Sequence, residues 1–132
     1  MGRDDDVDYE RAASLRLALQ EFLRSSERIT RAHGLTAERY QLLLSIKVAS
    51  LRGDEVTVSD LASSLDLAKS TVTQLVRRAE DLGLIRRELS GSDARIRFLR
   101  LSEEGERRLT GAVTELGEER LRLISLLAPL AT

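Results

Sequence analysis

Residues 57–102 constrain the fold of this chain most. They read as two short helices a few residues apart, followed directly by a two-stranded hairpin with a polar tip. Thr57-Val58-Ser59-Asp60 has the form of a capping box, with Asp in place of the usual Glu. The helix it opens buries Leu61, Ala62 and Leu65, and Asp66-Leu67-Ala68 makes a tight connection. A second helix over 69–82 turns Val72, Leu75, Val76, Ala79 and Leu82 inward and ends at Gly83. Residues 84–89 and 96–101 are short strands around the tip Ser90-Gly91-Ser92-Asp93-Ala94-Arg95. Leu99 and Leu101 are expected to face inward, with Phe98 partly covered.

The flanks are helical. Residues 8–33 form a long amphipathic helix with Ala12, Leu15, Ala18, Leu19, Phe22 and Ile29 at helical spacing, stopped at Gly34. Thr36 caps the next helix, whose expected apolar face is Tyr40, Leu43, Leu44, Val48 and Leu51. Ser102 caps a final long helix carrying Leu109, Ala112, Val113, Leu116, Leu123, Ile124 and Leu127, with Pro129 past its end. Gly105, Gly111 and Gly117 are each costly inside that helix by about 1 kcal/mol, unless they admit a close neighbour. The expected fold class is mainly α with a small β-hairpin, a winged helix-turn-helix with long N- and C-terminal dimerisation helices. A chain of 132 residues favours one domain, over 9–132, with 57–102 as the DNA-binding core and 9–33 and 103–128 as the dimerisation helices. Residues 1–8 read as an acidic, disordered start. The outer helices hold apolar stripes longer than the small core can cover, so two copies burying each other is one reading and wrapping of a chain's own domain is the other.

The net charge of −1 conceals a partition. Residues 1–10 carry −4 and residues 103–119 carry −4, while residues 69–100 hold eight bases against four acids. Beyond a Debye length of ~8 Å the acidic ends are screened, so the central island governs what binds there. There is no cysteine, which excludes disulfides and thiolate chemistry, and the single histidine, His33, excludes a multi-His metal site within one chain. No apolar run approaches ~20 residues, and the acidic start lacks a signal-peptide pattern, so a cytoplasmic protein is expected, with no membrane partner and no cofactor.

Ser70, Thr73, Gln74 and Arg77 follow the i, i+3, i+4, i+7 rule and share one stripe of the second helix, with Lys69 in its first turn. Hydroxyls bond phosphates or base edges, Gln pairs bidentately with adenine, and Arg reaches guanine or phosphate. A solvated helix face carries the same residue types, so the stripe alone is not decisive. The hairpin adds Arg95 at a tip suited to a minor groove, whose narrow stretches concentrate negative potential, and Arg97 as a stem contact to phosphate. Asp93 is either an ordinary turn residue or a carboxylate that pairs with an arginine and fixes the wing.

In this order of elements the chain resembles the MarR family of bacterial transcriptional regulators. The resemblance covers about residues 9–128. It rests on Leu61-Ala62, on Lys69-Ser70-Thr71-Val72-Thr73, on Leu75-Val76 and Leu82-Gly83-Leu84-Ile85-Arg86-Arg87, and above all on Asp93-Ala94-Arg95 followed by Leu99-Arg100-Leu101-Ser102-Glu103-Glu104-Gly105. It implies a homodimer on a pseudo-palindromic operator in double-stranded DNA, often repressing and often released by a small anionic or phenolic ligand. By the same resemblance Ser70, Thr73, Gln74 and Arg77 face the major groove and Arg95 the minor groove. Gln74 departs from the family, where many members carry Arg. The oxidation-sensing branch needs a cysteine that this chain lacks.

The expected function is therefore a sequence-specific DNA-binding transcriptional regulator. The alternative is a winged-helix module that binds another protein and not DNA, since fold does not fix function. An enzyme is disfavoured: there is no second histidine or Gly-rich phosphate loop, and Lys69 and Ser70 are helix neighbours that do not face each other.

Overall fold

The computed structural model describes residues 2–93 and 95–131, with the side chains of 2–8 outside that description. Ala94 of the wing motif and Met1 of the acidic start lie outside the described residues. The order is α1 (Gly2–Ala32), α2 (Ala37–Leu51), α3 (Val58–Leu65), α4 (Lys69–Asp81), β1 (Ile85–Leu89), β2 (Arg97–Leu101), α5 (Glu103–Glu115), α6 (Gly117–Leu127) and a 3₁₀ turn (Ala128–Ala131). Helical backbone runs to Gly2, where a disordered start was expected.

The local signals set most boundaries. The Thr57 hydroxyl accepts from the Asp60 N–H while the Asp60 carboxylate accepts from the Thr57 N–H, so Asp completes the capping box. Asp66 closes α3 in the left-handed region at φ 53°, which compresses the link to α4 into three residues. Thr36 and Ser102 cap α2 and α5 through the N–H groups of Arg39 and Gly105.

The core forms around α2, and its buried face is Leu42, Leu43 and Ile46, against Leu61 of α3, Val72, Val76 and Ala79 of α4, and Leu109 and Ala112 of α5. Each of the leucine, isoleucine and valine side chains contributes roughly 2 kcal/mol by leaving water, the alanines less. Of the expected α2 face, Leu43 is buried and Tyr40 and Leu44 half-buried, but Val48 and Leu51 are exposed. Leu42-Leu43-Leu44 spans nearly a full turn, so periodicity alone could not choose the side. Leu82 is 46% exposed rather than inward: α4 ends at Asp81, and Leu84 and Ile85 enter the core in its place.

The strands pair antiparallel, Ile85 opposite Leu101 and Leu89 opposite Arg97. Phe98 is 6% exposed, more buried than expected, because Arg100 lies over its ring at 5.3 Å. Leu99 and Leu101 are buried on the opposite face, and the Leu99 N–H donates to the Val56 carbonyl at 2.8 Å.

The expected long final helix is two. It breaks at Leu116, buried at the junction, and restarts at Gly117. Gly105 and Gly111 are required by close approach. A Cβ at Gly105 would stand 2.1 Å from the Leu84 carbonyl oxygen, and one at Gly111 would stand 2.6 Å from Nδ1 of His33. The Arg108 guanidinium donates to the Gly34 carbonyl and to Glu104, whose carboxyl Arg107 first and Arg108 second hold down at about 2. α1 packs along α6, yet Leu17, Leu23, Leu121 and Ile124 remain largely exposed on these two helices.

Gly105→Ala is expected to destabilise the fold by about 3 kcal/mol or more, since the obstacle is backbone. Gly117→Ala meets only the Arg120 tip, at 3.6 Å, and is expected to be neutral or stabilising by up to about 1 kcal/mol. Thermal unfolding followed by circular dichroism checks both.

Candidate nucleic-acid interface

Helix α4 buries Val72, Val76 and Ala79, which turns the opposite face outward. Lys69, Ser70, Gln74 and Arg77 are exposed on that face, and Thr73 is half-buried. The Thr73 hydroxyl donates to the Lys69 carbonyl at 2.8 Å, so its lone pairs remain to accept a bond. The expected stripe is thus one continuous surface.

The hairpin stands beside it. Arg87 of β1 forms a two-pronged ion pair with Glu80 of α4, both bonds 3.1 Å, joining the wing root to the end of that helix. Glu88 holds Arg86 at 3.1 Å and Arg100 at 3.6 Å, and Arg100 also donates to Ser50 of α2. Four of the eight bases in the positive segment are therefore engaged in ion pairs, counting Arg95. The remaining four, Lys69, Arg77, Arg78 and Arg97, have no carboxylate partner among the described residues.

At the wing tip the Asp93 carboxylate accepts from the backbone N–H of Arg95 at 3.0 Å and from its guanidinium at 3.3 and 3.4 Å. These bonds, the backbone one first, hold the Asp93 carboxyl below its ordinary value. The Arg95 side chain is 91% exposed even so, tethered at its base with its outer edge open to solvent. Sequence reading missed Glu55, in the loop before α3. Its carboxylate accepts from the Ser90 hydroxyl at 2.6 Å and from the Gly91 N–H at 3.4 Å. No local spacing signals a partner 35 positions away.

A separate cleft lies between α1, α2 and the α5–α6 junction, lined by Phe22, Leu23, Tyr40, Gln41, Leu116 and Arg120. Burial raises the Tyr40 phenol above its ordinary value and the Arg120 guanidinium partly opposes this, so the phenol is a neutral donor beside a cation. Among the described residues no helix is long and apolar enough to cross a membrane.

A recognition-type helix set against a basic hairpin defines a winged helix-turn-helix protein. Residues 33–96, a little under half of the chain, match the sequence model of the MarR family. It is 28% identical over 107 residues to a Bacillus subtilis (strain 168) protein named uncharacterized HTH-type transcriptional regulator YdgJ, covering 72% of this chain and 63% of that relative's length. The fold is shared with a MarR family transcription regulator of known crystal structure (TM-score 0.78, 19% identity, 95% of this chain and 80% of that one). It is also shared with S. aureus MepR in complex with DNA (TM-score 0.72, 22% identity, 83% and 77%), a protein also solved with ethidium bromide bound.

Arg95→Ala is expected to leave the Asp93 carboxyl titrating below its ordinary value, because the larger cause is a backbone N–H that alanine keeps. Arg95→Pro removes that donor and should bring the value back up. Carbon-detected NMR titration of Asp93 distinguishes the two.

Proposed function

We propose that this chain is a sequence-specific DNA-binding transcriptional regulator, acting as a homodimer on a pseudo-palindromic operator, most simply as a repressor in the cytoplasm. One observation carries the reading: four exposed bases have no carboxylate partner among the described residues, with Lys69, Arg77 and Arg78 on the helix whose exposed stripe carries Ser70 and Gln74, and Arg97 on the adjoining hairpin. In this reading Ser70, Thr73, Gln74 and Arg77 meet base edges and phosphates in the major groove, Lys69 and Arg97 meet phosphates, and Arg95 enters the minor groove with Asp93 shaping the tip. The exposed leucines of α1 and α6 support the dimer, since apolar faces of this extent favour a partner. A two-fold pair sets its recognition helices about one DNA turn apart, ~34 Å.

Selection of bound sites from a random DNA pool tests this directly, and is expected to return an inverted repeat with half-sites spaced by a helical turn. On the selected operator, Arg95→Ala and Gln74→Ala should each weaken binding by about 1–3 kcal/mol, and Asp93→Ala less than Arg95→Ala. Arg77→Ala should make the slope of log affinity against log salt shallower by about one for each phosphate it no longer neutralises. Unchanged binding in both Arg95→Ala and Gln74→Ala, or a flat salt response, would remove the DNA reading in favour of a protein-binding module.

The Tyr40–Arg120 cleft is the proposed seat of a small anionic or phenolic effector: apolar walls take a ring, the phenol donates, and the guanidinium meets the charge. Salicylate, as a simple probe, should weaken operator binding by the wild-type chain and lose that effect in Arg120→Ala. Equal release of both proteins in anisotropy titrations would place the effector elsewhere.

A further inference from the structure

The wing is a two-stranded hairpin, and such a hairpin is marginally stable alone. Where its tip points depends on what ties it to the body. Two ties come from adjacent residues of the loop before α3. The Val56 carbonyl accepts from the Leu99 N–H on β2, and the Glu55 carboxylate accepts from Ser90 and Gly91 at the end of β1. Arg87 and Arg100 brace the hairpin nearer its root, so a further hold at the outer end of β1 is what fixes the direction of the tip.

The Glu55 bond has the length of a charge-assisted O–H···O⁻ contact, 2.6 Å, and Ser90 is 7% exposed. The chain of bonds continues outward. While its hydroxyl donates to Glu55, the Ser90 oxygen accepts from the Ser92 N–H at 3.2 Å and stands 2.9 Å from the Ser92 hydroxyl. Asp93 and the Arg95 tether follow at once. Glu55 makes no ion pair among the described residues, so its charge neutralises no arginine of the island. A free carboxylate beside a phosphate-binding surface would by charge alone lower affinity, so its placement calls for a different role.

We propose that Glu55 is a wing-positioning residue: by holding Ser90 and Gly91 it aims the Ser92–Arg95 tip, and thereby Arg95, at the minor groove. The proposal rests on the DNA-binding reading. It extends that reading to a residue outside the helix-turn-helix and the wing.

The test uses the full chain and its selected operator. Glu55→Ala should weaken operator binding about tenfold, the loss expected when a hydrogen bond to a charged group is removed. Glu55→Gln should recover most of it, because the amide oxygen still accepts from Ser90, and Ser90→Ala should reproduce the loss. Glu55→Ala combined with Arg95→Ala should bind no more weakly than Arg95→Ala alone, since a mis-aimed tip and a missing guanidinium remove the same contact. Full additivity in that cycle overturns the proposal. So does Glu55→Ala binding as tightly as the wild type or more tightly, the outcome if the carboxylate acts only through its charge. Amide hydrogen exchange supplies a readout without DNA: the Gly91 and Ser92 N–H groups should exchange faster in Glu55→Ala and Ser90→Ala, with the α4 amides unchanged. Unaltered exchange in both variants also overturns it. If the wild type selects no DNA, the functional reading fails and the exchange experiment alone decides whether Glu55 orders the wing.

Discussion

Burial of Leu42, Leu43 and Ile46 in the middle of α2 is the constraint on which the remaining structure depends. These side chains face α3, α4 and α5 together, so one helix serves as the floor for the reading helix and as the neighbour of the outer helices. Truncating any of them to alanine opens a cavity common to several elements, at a cost of about 2–5 kcal/mol. Because α4 buries only Val72, Val76 and Ala79 against this floor, its polar stripe has nowhere to go but outward. The exposure of Ser70, Gln74 and Arg77 is a by-product of core packing.

Electrostatics then divides labour within the basic island. Arg87 and Arg100 brace the hairpin against α4 and α2 and Arg86 is paired within it, while Lys69, Arg77, Arg78 and Arg97 have no carboxylate partner among the described residues. Arg95 is intermediate, tethered by Asp93 yet almost wholly exposed. A count of positive residues along the sequence cannot separate bracing from binding, because the carboxylates that decide it, Glu80 and Glu88, are themselves part of the island.

What was legible in the sequence was local. The Thr57–Asp60 box, the Thr36 and Ser102 caps, the stop at Gly83 and the Asp93–Arg95 tip each need only a few consecutive residues, and each stands where the pattern put it. What was not legible depended on distant partners. The buried side of α2 was ambiguous because leucines occupy nearly every side of one turn. Phe98 is covered by an arginine that the alternation rule assigns to solvent. The break at Leu116 was hidden because a glycine at 117 is compatible with either a continuous or an interrupted helix. Glu55 reads as an unremarkable loop acid until Ser90 is brought beside it.

The seating of Gly105 against Leu84 has a mechanical consequence. Ser102 donates from its backbone N–H to the Leu84 carbonyl and from its hydroxyl to Gly83, so the end of α4, the wing root and the start of α5 form one rigid corner. Helix α5 is the arm of this crank, and the break at Leu116 is its far end, beside the Tyr40–Arg120 cleft. Over its 13 residues, about 20 Å at helical rise, a tilt of only ~5° at that end displaces the corner by about 2 Å. That exceeds the tolerance of a hydrogen bond. On the proposed reading of the cleft as an effector seat, a slight change in how it is filled would be geared up into a shift of the α4 and wing surface, with no need for any group to travel between the two.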